Sequence, residues 1–165
     1  MQLSQTIQDA MNAQIQKEFA SAYLYLAMAS YFAEANLNGF ANWMRVQARE
    51  ERNHALKFFD YIHDRNAHAE LDAVPKPAAT WASPLAAFEA ARKHEEKVSA
   101  SIRDIYDLAV KEKDYASQAL LQWFIVEQVE EEKTGREIVD TLKLIGDNRA
   151  GLFMYDKELG KRTGE

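Results

Sequence analysis

Glutamates buried inside otherwise apolar helical stripes constrain this chain more than any other feature. In "FIVEQVEEEK", residues 124–133, an apolar run passes into Glu127, Gln128, Glu130, Glu131 and Glu132 with no Gly or Pro between. Nothing there turns the chain, so one helix carries both halves. Alternating steps of three and four pick out Ser117, Leu121, Phe124, Gln128, Glu131, Gly135, Ile138, Leu142 and Ile145. That is a bundle-facing seam with Gln128 and Glu131 inside it. Glu132 falls off the stripe, four residues before Arg136, and reads as surface.

Three further seams show the same interruption. One runs Met11, Ile15, Glu18, Ala22, Tyr25, Ala29, Phe32. The next runs Phe40, Met44, Gln47, Glu51, His54, Phe58, Tyr61. The last runs Leu85, Phe88, Arg92, Glu95, Ser99, Ile102, Tyr106, Ala109. Each contains a glutamate well inside its helix.

The chain therefore reads as an all-α four-helix bundle, a single domain over residues 1–165. The expected helices cover about 4–35, 38–65, 84–113 and 114–145, with a short fifth at about 149–160. Ser83 and Asp114 are natural N-caps, Pro84 suits a first helical position, and Gly146 stops the fourth helix. Short links make the first and second helices antiparallel, and likewise the third and fourth. The segment 66–83, with Pro75 and Pro77, has no periodicity. It reaches about 56 Å when extended, whereas the second helix is about 42 Å long. It can run the length of the bundle and set the second and third helices parallel.

With that crossover, the seam glutamates fall within about one to one and a half turns of one another. Glu18, Glu51, Glu95 and Glu131 in one dry layer would cost on the order of several kcal/mol per ion if uncompensated. No Lys or Arg shares their level; Arg92 sits nearly a turn from Glu95. Protons or cations must neutralise them, and two divalent ions would balance the charge. Glu51-x-x-His54 places a carboxylate and an imidazole on one helix face. An oxygen-rich site with one imidazole suits iron or manganese better than structural zinc.

Composition narrows the remaining classes. With 47% hydrophobic residues, 6 Gly and 3 Pro, the chain has a globular core and long elements. A net charge of −6 without a basic cluster argues against a nucleic-acid partner. Cysteine is absent, which excludes disulfides. The N-terminus lacks a basic head and an apolar core segment, so a cytoplasmic protein is expected. The longest uncharged stretch, Phe19–Ala33, is shorter than the roughly 18 residues a membrane span needs.

From "QIQKEFASAYLYL" through "QAREERNHALKFFDYI", "KHEEKV" and "LLQWFIVEQVEEEK" to "GLFMYDKEL", the chain resembles a bacterial non-haem ferritin. The resemblance implies the ferritin-like bundle with its single long crossover and short fifth helix, assembled in hollow shells of 24 subunits. It implies oxidation of Fe(II) by O2 or H2O2 and storage of a ferric mineral. On this resemblance Glu18, Glu51 and His54 match a first iron site, and Glu51, Glu95 and Glu131 a second, with Glu51 bridging. Gln128 matches a hydrogen-bonding residue of the site, Tyr25 the adjacent tyrosine and Trp123 the tryptophan beside it. Glu50, Glu127 and Glu130 match a third iron site; from their spacing alone they read equally as a solvated acidic face. Tyr25 likewise reads alone as a core tyrosine with a satisfied hydroxyl.

Two departures separate relatives. A second Glu-x-x-His, as in bacterioferritins, is missing from the fourth helix, and Met44 reads as core, so no haem is expected. His63, His68 and His94 have no ligand-like partners on their faces. The first helix carries Tyr23, Leu24 and Tyr31 off its seam, so a subunit contact and a homo-oligomer are expected. A reductase for iron release is a further expected partner. The competing readings are a DNA-protecting mini-ferritin, whose ligands lie between subunits, and a bundle that binds iron without oxidising it.

Overall fold

The structure, a computed structural model, describes residues 2–164. Five helices follow in order: α1 (Gln5–Glu34), α2 (Asn38–Asp64), α3 (Pro84–Lys111), α4 (Tyr115–Ile145) and α5 (Arg149–Leu159). There is no strand among the described residues. Four helix starts are closed by a local side chain. Ser4 accepts from the Ile7 N–H, Ser83 from Ala86, Asp114 from Ser117 and Asn148 from Gly151, at 3.0–3.3 Å.

The ends of α1, α2 and α3 share one device. Asn36, Asn66 and Lys113 take φ of 59°, 53° and 56°. At each, two N–H groups reach back into the last turn, as in Leu37 N to Phe32 O and Asn36 N to Ala33 O at 2.9 and 3.1 Å. This is a Schellman closure. Asn tolerates the left-handed region, and Lys113 holds it at a cost of about 1 kcal/mol.

The start of α2 is the exception. Its N-cap, Leu37, offers no side-chain acceptor. The acceptor comes from α5 instead: Asp156 Oδ1 takes the Phe40 N–H at 2.9 Å, from a buried carboxylate. The negative charge also suits the positive end of the α2 dipole. Close approach requires Gly39, since a Cβ there would sit 1.6 Å from the Asp156 carbonyl oxygen. Gly39→Ala is therefore expected to push α5 away and destabilise the subunit by about 1–3 kcal/mol or more. Urea denaturation, with hydrogen exchange at α5, measures it; an unchanged midpoint would contradict the docking.

The crossover lies along α1. Gln8 and Asn12 donate to His68 O, and Gln16 to Ala73 O, at 3.0–3.4 Å. Farther on, Trp81 meets Tyr31 edge to face, with ring centroids 5.5 Å apart. The crossover thus travels from the first turns of α1 to its last, so that α2 and α3 run parallel.

Two apolar clusters result. One holds Phe32, Phe40, Met44, Phe88 and Leu142, from the end of α1, the starts of α2 and α3 and the end of α4. The other holds Ile7, Ile15, Phe58, Ile62, Ile102, Leu121 and Phe124 from the opposite ends. Between them lies a buried polar layer: Glu18, Gln47, Glu51, His54, Glu95, Gln128 and Glu131, none more than 9% exposed. Burial at about 25 cal/mol per Å2 in the flanking clusters offsets the cost of this layer.

Candidate metal centre

All four bundle helices feed the polar layer. α1 contributes Glu18 and Tyr25, α2 Glu51 and His54, α3 Glu95, and α4 Gln128 and Glu131. Glu18, Glu51 and His54 bring one ligand atom each within 4.8 Å of one another. His54 Nδ1 lies 3.4 Å from Glu51 Oε2 and 4.0 Å from Glu18 Oε2. Both of those oxygens are buried and accept no hydrogen bond. Buried acceptors left this way are rare and costly. Two carboxylate oxygens facing one imidazole are a donor set that fits a divalent cation, which would displace any proton there and satisfy both oxygens.

Glu95 and Glu131 lie outside that triad, each held by neutral donors. Tyr25 OH donates to Glu95 Oε1, and Gln128 Nε2 donates to Glu95 Oε2 and Ser99 Oγ at 3.1 Å each. Gln47 Nε2 donates at 2.9 Å to both Glu51 Oε1 and Glu131 Oε2, bridging two helices. Gln14 Nε2 donates to Glu18 Oε1 at 2.7 Å, and its own oxygen accepts from Ser101 at 2.6 Å. Seam periodicity does not reveal the roles of Gln14 and Gln47. A signal was present, since Gln-x-x-x-Glu occurs at both Gln14–Glu18 and Gln47–Glu51, and i,i+4 pairs face each other.

The electrostatics follow from crowding in a dry layer. Burial, then the Glu51 charge, raises Glu18 well above the usual carboxylate range. Burial and the charges of Glu51 and Glu131 do the same to Glu95. Glu131 is pushed up to about 7 by burial and Glu51. Burial alone would raise Glu51 as well, but His54 and the Gln47 hydrogen bond outweigh it, and Glu51 is lowered. For His54 burial acts downward, yet Glu51, Glu18 and Glu131 carry the imidazole up to about 9. Negative charge is thus favoured on Glu51, beside His54, while burial and crowding favour the protonated forms of Glu18, Glu95 and Glu131.

A cavity of about 810 Å3 opens beside the layer, and His54 and Glu131 line it together with Glu50, Glu127 and Glu130. Glu50 is paired with Arg162, while Glu130 faces solvent and Glu127 is half-buried. Trp123 is 40% exposed at this cavity and meets His54 edge to face at 5.6 Å. Met44 is fully buried in the first apolar cluster. His94 is tied up with Ser21 Oγ at 2.6 Å and lies edge-on to Tyr25. Of the off-seam residues of α1, Leu24 and Tyr31 are partly covered within the subunit, whereas Tyr23 and its neighbour Leu26 remain 54% and 53% exposed.

A four-helix bundle with one long crossover, holding carboxylates from all four helices and one imidazole at mid-height, belongs to the class of carboxylate metal-binding bundles. The ferritin-like domain matches residues 8–145, and the chain belongs to the ferritin family. It is 41% identical over 161 residues to the bacterial non-heme ferritin of Staphylococcus haemolyticus, covering 98% of this chain and 97% of that protein. Its identity to the bacterial non-heme ferritin of Staphylococcus aureus strain USA300 is 40% over the same length. An open pore ferritin from the hyperthermophilic archaeon Archaeoglobus fulgidus superposes with a TM-score of 0.97 at 47% identity, covering 99% of this chain and 100% of that one.

Proposed function

We propose that this chain is an iron-storage subunit that oxidises Fe(II) at its buried carboxylate layer and retains the ferric product inside a homo-oligomeric shell. The observation that carries this reading is the pair of unpartnered buried oxygens, Glu18 Oε2 and Glu51 Oε2, facing His54 in a ferritin-family bundle. Glu18, Glu51 and His54 take one Fe(II), and Glu51, Glu95 and Glu131 take the second. Glu50, Glu127 and Glu130 form a third iron site on the cavity wall. Iron is the substrate, with O2 or H2O2 as oxidant, and no haem takes part. The shell has 24 copies, as the family implies, and the exposed Tyr23 and Leu26 of α1 supply apolar area for a subunit contact.

Two Fe(II) lose one electron each, and O2 takes both with two protons; H2O2 would take two electrons and two protons to give water. Hard anionic oxygens stabilise Fe(III) over Fe(II) and so favour the electron loss. Gln128 and Gln47 aim Glu95 and Glu131, and Gln14 aims Glu18. The Tyr25 hydroxyl, held on Glu95, keeps a proton beside the reacting pair. Ligands gathered within one chain favour this reading over a mini-ferritin with sites between subunits. No helix among the described residues is long and apolar enough to cross a membrane, and a net charge of −6 without a Lys/Arg cluster in the sequence argues against a nucleic-acid partner. A cytoplasmic location and a reductase for iron release complete the proposal.

The test is Fe(II) added in air to metal-stripped protein, followed by ferric absorbance and sedimentation. Oxidation faster than in buffer, on an assembly far larger than 18.9 kDa, is expected. Oxidation at the buffer rate, or a lone 18.9 kDa species, would overturn it.

A further inference from the structure

The residues after α5 fold back over α2. Asn42 Nδ2 donates to the carbonyls of Gly160 and Arg162 at 3.2 and 2.9 Å, and Arg49 Nη2 donates to Thr163 O at 2.9 Å. These contacts deliver the Arg162 guanidinium to the acidic cavity. There it donates to Glu50 Oε2 at 2.5 Å and to Gln47 Oε1 at 2.8 Å, and lies 4.4 Å over the Trp43 ring. With its oxygen so engaged, Gln47 can direct only its NH2 inward, where it bridges Glu51 and Glu131. The cavity's other cations are turned elsewhere: Lys57 lies over Trp123 and Lys161 pairs with Glu158. Glu127 and Glu130 make no ion pair among the described residues, and Arg162 is the cation that pairs with Glu50.

We propose that Arg162 is a tethered cation that occupies the Glu50 end of the cavity and competes there with a free divalent cation. The inference rests on the reading of Glu50, Glu127 and Glu130 as a metal site. Glu50 Oε2 cannot be held by the guanidinium and by a metal ion at full strength together, because two positive charges would share one oxygen. Covalent attachment keeps the arginine at a constant, high effective concentration. Metal binding at Glu50 is therefore weakened by a fixed factor, and its success releases both the tail and the oxygen of Gln47. The outer cluster is thereby coupled to Glu51 and Glu131, reciprocally, as linkage requires.

The test titrates redox-inert Zn2+ into metal-stripped, full-length assembled protein by calorimetry, for wild type, Arg162→Ala, Glu50→Gln and the double variant. Zn2+ sites that vanish in Glu50→Gln report the outer cluster. In Arg162→Ala these sites are expected to bind about tenfold more tightly, as loss of one charge-assisted pair implies. Arg162→Lys, which keeps the charge but loses the fork and the stack on Trp43, should fall between wild type and Arg162→Ala, and the double variant should show no gain. Where Arg162→Ala does not assemble, as judged by sedimentation, Arg162→Gln carries the same expectation. A Glu50-dependent class of unchanged or weaker affinity in the charge-removing variant overturns the competition alone. No Glu50-dependent class in any protein overturns both the competition and the outer-site reading beneath it.

Discussion

Glu51→Ala is expected to lower the rate of fast Fe(II) oxidation by at least about a hundredfold. Removing a residue that merely supports a metal ligand costs about 10- to 100-fold, and Glu51 is proposed as a ligand shared by both ions. The layer's electrostatics centre on it: the Glu51 charge acts upward on Glu18, Glu95 and Glu131 and on His54. An independent readout follows. Without Glu51, the strongest upward influence on His54 is gone, so its titration should fall well below about 9, as NMR of the metal-stripped protein would report. Wild-type oxidation in this variant would remove Glu51 from the mechanism, and an unmoved His54 would contradict the pairing itself.

The second large effect is stabilisation and proton release on metal binding. Zn2+ at a free concentration about 1,000 times its Kd should stabilise the subunit by about 4 kcal/mol, read as a rise in melting temperature. The ligands must shed protons to bind. Glu131 is pushed up to about 7 and His54 up to about 9, and Glu18 and Glu95 are also raised. Metal affinity should therefore weaken as pH falls from about 8 to 6, with protons released at each binding step. Stability of the stripped protein moves the other way. Groups with raised folded pKa stabilise fully below their unfolded values and lose that contribution as pH rises through the folded ones. The stripped subunit should thus soften between about pH 5 and 9, as Glu131 and then His54 lose their protons. Glu51, lowered, acts oppositely and only in acid. Calorimetry in buffers of different ionisation enthalpy, with thermal melts across pH, measures both. A pH-independent affinity would show that the layer is not protonated as described.

Much of the architecture was legible because it is periodic. A bundle seam repeats on a three-four step, so a glutamate among Ile15, Ala22 and Phe124-like neighbours announces burial before any coordinates exist. Glu18, Glu51, His54, Glu95, Gln128 and Glu131 were read from those seams, and all lie in the dry layer between the two apolar clusters. The length of the 66–83 link made a parallel α2 and α3 readable too. The off-seam face of α1 was read less well. Tyr31 looked like free apolar surface, but the crossover's Trp81 covers it, a contact between segments far apart in the chain.

By itself, then, the sequence determined the helices, their seams and the set of acidic side chains that must share a core, because all three follow from local spacing. Tertiary structure alone decided how that set is divided and restrained. It left Glu18 Oε2 and Glu51 Oε2 without donors and gave Glu95 to Tyr25 and Gln128. It let Asp156 cap a helix more than a hundred residues earlier, with 116 positions between the partners. It also carried Arg162 onto Glu50 and Gln47. The physical reason is that such pairings depend on where α5 and the tail come to rest, and no helical period encodes a distance between elements.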